Sequence, residues 1–243
     1  MNGSLVVPLF LPAAFAALVG CAGTPQQLHQ DTMNARQSGA GLRFLALGDS
    51  YTIGEAVKAS ERWPVQLAAM LRADGLAIAE PLIIATTGWT TRELMDGIAQ
   101  QAPRGPFDLV SLQIGVNNQY RGRDLGECRS EFRTLLRQAI GFAGGHPERV
   151  LVVSIPDWGV TPFAAGRDRS KIATEIDSFN EVNREEAGSA GVHTVDITPA
   201  SRKAAVERTL IAEDGLHPSG TMYAEWARLI APEILPVLKG LQR

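Results

Sequence analysis

Arg43-Phe44-Leu45-Ala46-Leu47-Gly48-Asp49-Ser50 is a short apolar run that stops abruptly in small and polar residues. Largely hydrophobic runs return at Leu82–Ala85, Leu109–Ile114, Val150–Ile155 and Val192–Ile197, several of them rich in Val and Ile. Together with Arg43–Leu47 these read as strands covered on both faces, as in a parallel sheet. Amphipathic stretches lie between them. Trp63, Leu67, Met70 and Leu71 share a helical face, with Pro64 in the first turn. Leu94 and Ile98 follow Thr90 and Glu93, which have the spacing of a capping box. Ile172, Ile176 and Phe179 form a third stripe, and Met222, Trp226, Leu229 and Ile230 a fourth. Core packing accounts for all four. Strands alternating with helices across short links predict an α/β fold with right-handed crossovers: a three-layer α/β/α sandwich on a central five-stranded parallel sheet. The loops beyond the carboxyl ends of the strands are then the place to look for chemistry.

The 243 residues suffice for one such domain, expected over residues 42–243. With 45% hydrophobic and 20% charged residues the composition is that of a globular protein. A net charge of −3, with no Lys/Arg stripe, argues against nucleic acid as a partner. The beginning of the chain differs. Leu5 to Val19 is almost wholly apolar and leads into Leu18-Val19-Gly20-Cys21, too short a run to span a bilayer comfortably but long enough for a secretory signal. The tetrapeptide resembles the lipobox of bacterial lipoproteins, which implies a signal peptide over residues 1–21 and a lipid-modified Cys21 at the mature terminus. Met1-Asn2-Gly3-Ser4 lacks the usual basic residue, and a plain secretory signal is the alternative. Residues 22–41, rich in Gln, Gly, Ser, Thr and Asn, read as a flexible tether. The expectation is an exported protein, held at a membrane through a lipid on Cys21 and facing the periplasm or cell surface. Cys128, on a helical face with Leu125, Phe132, Leu135 and Leu136, reads as a buried apolar residue, and a lipidated Cys21 would leave it without a disulfide partner.

Four loops hold residues with chemical potential. Gly48-Asp49-Ser50-Tyr51 puts a hydroxyl just past a strand end, where Gly48 supplies backbone freedom for a tight turn, although Gly-Asp-Ser is also ordinary turn composition. Thr86-Thr87-Gly88-Trp89 places a glycine where its N–H could face developing negative charge, or simply where a loop needs one. Gly115-Val116-Asn117-Asn118-Gln119 offers a neutral amide donor, or an Asn-rich turn. Asp214-Gly215-Leu216-His217 sets a carboxylate and an imidazole one turn of chain apart. One imidazole nitrogen can then be held while the other faces a serine. Asp214 could otherwise cap a helix or ligate a metal, but no second histidine stands at zinc-ligand spacing. Taken together, the four loops supply a nucleophile, two oxyanion donors and a base with its orienter.

These same blocks, in this order, resemble the SGNH hydrolases, also called the GDSL esterases and lipases, from about Arg43 to the end of the chain. The resemblance implies the family's flavodoxin-like sandwich, a Ser50-His217-Asp214 triad, and an oxyanion hole of the Ser50 N–H, the Gly88 N–H and the Asn117 amide. It implies no metal and no organic cofactor. Two positions depart from the family pattern: Tyr51 stands for the usual leucine, and Asn118 for the usual aspartate. Neither provides a reacting atom, so they bear on substrate more than on reaction. Asn118, Trp89 and Trp158, the last two in segments that follow strands, are candidates for a substrate pocket as well as for loop packing.

The expected activity is a carboxylesterase acting on short or small acyl esters, since no large insertion is present to act as a lid. Carbohydrate O-acetyl esterase or acetyltransferase, lysophospholipase and thioesterase are alternatives on the same triad. A tethered binding module without catalysis is the non-enzyme reading, and it conflicts with the presence of Ser50, Asp214 and His217.

Overall fold

The computed structural model describes Met1 and residues 41–242. The expected signal peptide except Met1, the lipobox with Cys21 and all of the tether except Gly41 lie outside the described residues. Five strands form one sheet: β1 Phe44–Gly48, β2 Leu82–Ala85, β3 Leu109–Gln113, β4 Val150–Val153 and β5 His193–Val195. All four pairings are parallel and the order is β2-β1-β3-β4-β5. The helices are α1 Ser50–Ile53, α2 Trp63–Ala73, α3 Thr91–Gln101, α4 Val116–Tyr120, α5 Leu125–Phe142, α6 Arg169–Ser189, α7 Thr198–Arg202 and α8 Gly220–Leu241. None of the described helices is long and apolar enough to cross a membrane.

The alternation along β1 explains the layers. Phe44 and Ala46 join one core with Trp63, Leu67 and Leu71 of α2, Ile172 and Ile176 of α6, and Trp226 and Ile230 of α8. Leu45 and Leu47 join the other core with Leu94 and Ile98 of α3 and Phe132, Leu135 and Leu136 of α5. Both faces of the central strand are thus covered, which is why its five residues are all buried. Gln66 of α2 also donates from Nε2 to the Gly220 carbonyl at 2.9 Å, tying α2 to the first residue of α8.

Some boundaries differ from the sequence reading. β3, β4 and β5 end before Ile114, Ile155 and Ile197, because side chains take over the backbone groups there. Asn180 accepts from the Ile155 N–H at 2.8 Å and donates to the Ile155 carbonyl at 3.1 Å. Ser154 Oγ accepts from the Ile197 N–H at 2.8 Å. On α8 the buried stripe runs through Met222, Tyr223, Trp226, Ile230 and Ile234, and Leu229 faces outward at 41% exposure. Cys128 is buried and free, and its Sγ accepts from the Asn118 amide at 3.1 Å.

The chain crosses from one side of the sheet order to the other between β1 and β3, and the crevice beyond the carboxyl ends of such a pair is the habitual ligand position in open α/β sheets. Ser50 follows β1, Asn117 follows β3, and Gly88 follows the neighbouring β2.

Candidate active site

Ser50 is the first residue of α1, immediately beyond β1. The helix forms because Asp49 caps it, accepting from the Tyr51 N–H at 3.0 Å, and Gly54 closes it at φ 71°. Gly48 is required for space and not, as expected from sequence, for an unusual φ. A Cβ there would stand 2.2 Å from Thr52 Oγ1 and 2.6 Å from the Gln113 carbonyl oxygen. At the first helical position the Ser50 N–H has no intrahelical acceptor and points out of the turn. Asp49 has no exposed surface. Burial pushes its carboxyl up to about 7, against the lowering pull of N–H donors from Tyr51 and Asn117.

Asp214 and His217 share one tight loop. Asp214 Oδ1 accepts from the N–H groups of Leu216 at 2.9 Å and His217 at 3.0 Å, and Oδ2 lies 2.5 Å from His217 Nδ1. Gly215 supports the turn at φ 73°. The loop is closed by an antiparallel bridge between Ile211 and Pro218 and by the Ala212 N–H donating to the His217 carbonyl at 2.8 Å. Burial raises the Asp214 carboxyl, but the hydrogen bonds from His217 and from the backbone outweigh it and hold the group below the usual carboxylate range. A carboxylate against Nδ1 places the proton of a neutral imidazole there and leaves Nε2 as the basic nitrogen. The imidazole rests against the Tyr51 ring, centroids 5.1 Å apart.

Gly88 sits third in a turn closed by the Trp89 N–H donating to the Thr86 carbonyl at 3.2 Å. Its φ of 85° is what a type II turn demands at that position. The turn bond uses the N–H of Trp89 and leaves that of Gly88 out of it. Asn117 lies on α4, and its Nδ2 donates to the Trp89 carbonyl at 3.0 Å and, more weakly, to Asp49 Oδ2 at 3.4 Å. The long contact is the one a bound oxyanion would most easily replace.

One solvent-open cleft of about 490 Å³ is lined by Ser50, Gly88, Asn117, Trp158 and His217 together with Tyr51, Thr87, Val116, Tyr120, Phe163 and Leu216. The structure therefore brings five of the residues singled out from sequence to one place, with Asp214 bonded to His217 behind them. Ser50 and His217 both face the cleft, with no hydrogen bond between hydroxyl and imidazole. Two expected pocket residues are elsewhere. The Trp89 ring packs on α3, so close that a Cβ on Gly97 would stand 2.1 Å from it, and only the Trp89 carbonyl touches the site. Asn118 is buried, accepting from the Thr91 N–H at 3.0 Å and donating to Thr91 Oγ1 at 2.7 Å, and so pins α4 to α3.

Tyr120 and Phe163 were not foreseen. They flank Trp158, whose Nε1 donates to Gln119 Oε1 at 2.7 Å, and the three rings lie 5.3 to 6.1 Å apart. Tyr120 and Phe163 remain 43% and 44% exposed, which leaves aromatic surface free at the cleft. Tyr120 stands three residues after Asn117, a spacing that shares a helical face, so reading residues 116–120 as a helix would have found it. Phe163 is brought in by its N–H donating to the Gly215 carbonyl at 3.0 Å, which no sequence pattern announces. A larger groove, about 720 Å³, opens between α6 and β5, but its charges are occupied with one another: Arg202 with Asp177, Arg184 with Glu181. Among the described residues no cluster of His, Cys, Asp and Glu is arranged to hold a metal ion.

The model of the GDSL-like lipase/acylhydrolase family matches residues 46–225. Comparison with curated proteins finds no match. Among solved structures, TesA superposes with a TM-score of 0.63 at 17% identity, covering 80% of this chain and 99% of that one. A lipase/acylhydrolase from Enterococcus faecalis gives 0.59 at 22% identity, covering 80% and 96%. Axe2, an acetylxylan esterase from Geobacillus stearothermophilus, gives 0.61 at 22% identity, covering 81% and 95%. At these identities the structural likeness speaks for the fold.

Proposed function

The chain belongs to the GDSL-like lipase/acylhydrolase family, and from that premise we propose that it is a serine carboxylesterase for short or small acyl esters, with Ser50 as nucleophile, His217 as base and Asp214 as orienter. The observation that carries the reading is the Asp214–His217 pair opening onto the same cleft as Ser50. Ser50 Oγ attacks the ester carbonyl carbon as its proton passes to His217 Nε2. The resulting oxyanion lies among the Ser50 N–H, the Gly88 N–H and Asn117 Nδ2. Collapse of the tetrahedral intermediate breaks the bond to the alcohol, which leaves with the proton from His217. Water, deprotonated by the same imidazole, then releases the acid from Ser50.

The cleft is open to solvent and Tyr120, Trp158 and Phe163 make part of its lining aromatic, which fits a small acyl group and a ring-bearing partner. The exposed faces of Tyr120 and Phe163 also support a second reading, a carbohydrate O-acetyl esterase, because sugar rings stack on such faces. Its fold neighbour Axe2 is an acetylxylan esterase.

Ser50→Ala is expected to abolish turnover of p-nitrophenyl acetate and labelling by a fluorophosphonate. Asn117→Ala is expected to lower kcat by about 10²–10³, the usual loss for one oxyanion donor. Retained turnover in a folded Ser50→Ala protein would end the proposal. A series from acetyl to palmitoyl esters, run beside acetylated xylan, separates the two substrate readings.

A further inference from the structure

Arg121 follows α4 directly and its own N–H donates to the Asn117 carbonyl at 3.1 Å. Its guanidinium reaches back across the cleft rim. Nη2 donates to the Gly88 carbonyl at 2.7 Å, and Nη1 donates to Glu93 Oε2 at 3.1 Å and Oε1 at 3.3 Å. Glu93 is fixed in turn, since Oε2 accepts from the Thr90 N–H at 2.8 Å and from Thr90 Oγ1 at 2.9 Å. The Arg121 and Glu93 side chains are 40% and 42% exposed, so as a surface ion pair they contribute only about 0–1 kcal/mol to stability. That sum does not call for an arginine. The geometry does: a planar fork serves a carbonyl on one side and a carboxylate on the other, which an ammonium group does less well.

Gly88 is backbone that benefits from such a hold. It has positive φ, no side chain to pack, and an N–H outside the turn's own hydrogen bond. Asn117 Nδ2 grips the next carbonyl, that of Trp89. Two consecutive carbonyls of the loop are therefore tethered to residues of one short helix and its cap.

We propose that Arg121 is a positioning residue that aims the Gly88 N–H into the cleft, so that the Gly88 and Asn117 donors keep their spacing as one unit. The inference rests on the serine-esterase reading above. It assigns Arg121 no contact with substrate: the residue acts by fixing the ψ of Gly88, and with it the direction of the neighbouring peptide.

The test compares Arg121→Met, Arg121→Lys and a surface control, Arg184→Met, with the wild type. Arg121→Met keeps much of the stem and removes the fork. Its kcat on p-nitrophenyl acetate is expected to fall about 10- to 100-fold, the scale of a donor displaced without being lost, with KM within about twofold. Fluorophosphonate labelling should slow by a similar factor at an almost unchanged melting temperature. Arg121→Lys should fall between the two, and it carries the test should Arg121→Met fail to fold. Arg184→Met should match the wild type. Wild-type kcat in a folded Arg121→Met protein overturns the proposal, and so does a raised KM at constant kcat, which would make Arg121 a substrate-binding group. Absence of labelling at Ser50 in the wild type is a different failure, because it refutes the serine reading itself.

Discussion

Asp49 makes a sharp test of the site's electrostatics. Its carboxyl sits at about 7 in the folded protein against an ordinary 3.8, because burial outweighs the hydrogen bonds that favour its charge. Between those values the unfolded chain has lost the proton and the folded chain keeps it. Unfolding then releases a proton, and stability must fall as pH rises through the window. The slope for one such group is about −1.4 kcal/mol per pH unit. Asp49→Asn keeps the side chain's shape and its acceptor for the Tyr51 N–H but cannot ionise. Urea unfolding of both proteins from pH 5 to 8.5 isolates the effect, since other groups contribute alike to both curves. The depressed carboxylates Asp214 and Glu186 act with the opposite sign and at lower pH. The difference, variant minus wild type, should climb by roughly 2 kcal/mol from pH 5 to 7, where the slope has halved, and level off above about pH 8. Parallel curves across the whole range would show that Asp49 ionises as freely folded as unfolded, and the account of its burial would be wrong.

Glu186 on α6 accepts from Arg129 at 2.6 Å and from Arg133 at 2.7 and 2.8 Å on α5, and the Arg133 hydrogen bonds, set against a smaller burial effect, hold it at about 2. Glu186→Gln should cost about 1–3 kcal/mol at pH 7, measured by denaturant unfolding, and the cost should shrink as pH falls from 4.5 toward 2. A loss unchanged by acid would disconnect it from the ion pairs. Gly97→Ala drives a methyl into the Trp89 ring. A drop of about 1–3 kcal/mol, with altered tryptophan fluorescence, is expected, and an unchanged melting temperature would mean that the ring does not pack there.

The sheet was legible because its strands are short apolar runs separated by helical stripes, and the loops after them inherit their position from the sheet. What escaped depends on geometry within those loops. Gly115 to Gln119 read as an amide donor or an Asn-rich turn, and the structure coils Val116–Tyr120 into a short helix, so adjacent side chains diverge by about 100°. Asn117 faces the cleft and Asn118 the interior, and Tyr120 returns to the cleft side. Of the two roles open to Trp89 the structure takes loop packing: it follows a glycine at positive φ, its indole lies against α3 and its carbonyl accepts from Asn117. Phe163 arrives through a contact between two distant loops, a relation that local spacing cannot encode. The strand ends were overrun because Asn180 and Ser154 compete for backbone groups that hydrophobicity alone assigns to the ladder.

The hydroxyl of residue 50 lies at the end of the first strand and the imidazole of residue 217 just ahead of the last helix. A growing polypeptide carries the former unaccompanied until residue 217 has been added. The latter arrives with α8, whose first residue is latched to α2 by Gln66. On this layout, regain of ester turnover after dilution from denaturant reports closure of the whole sandwich, and it should trail any signal that follows the sheet.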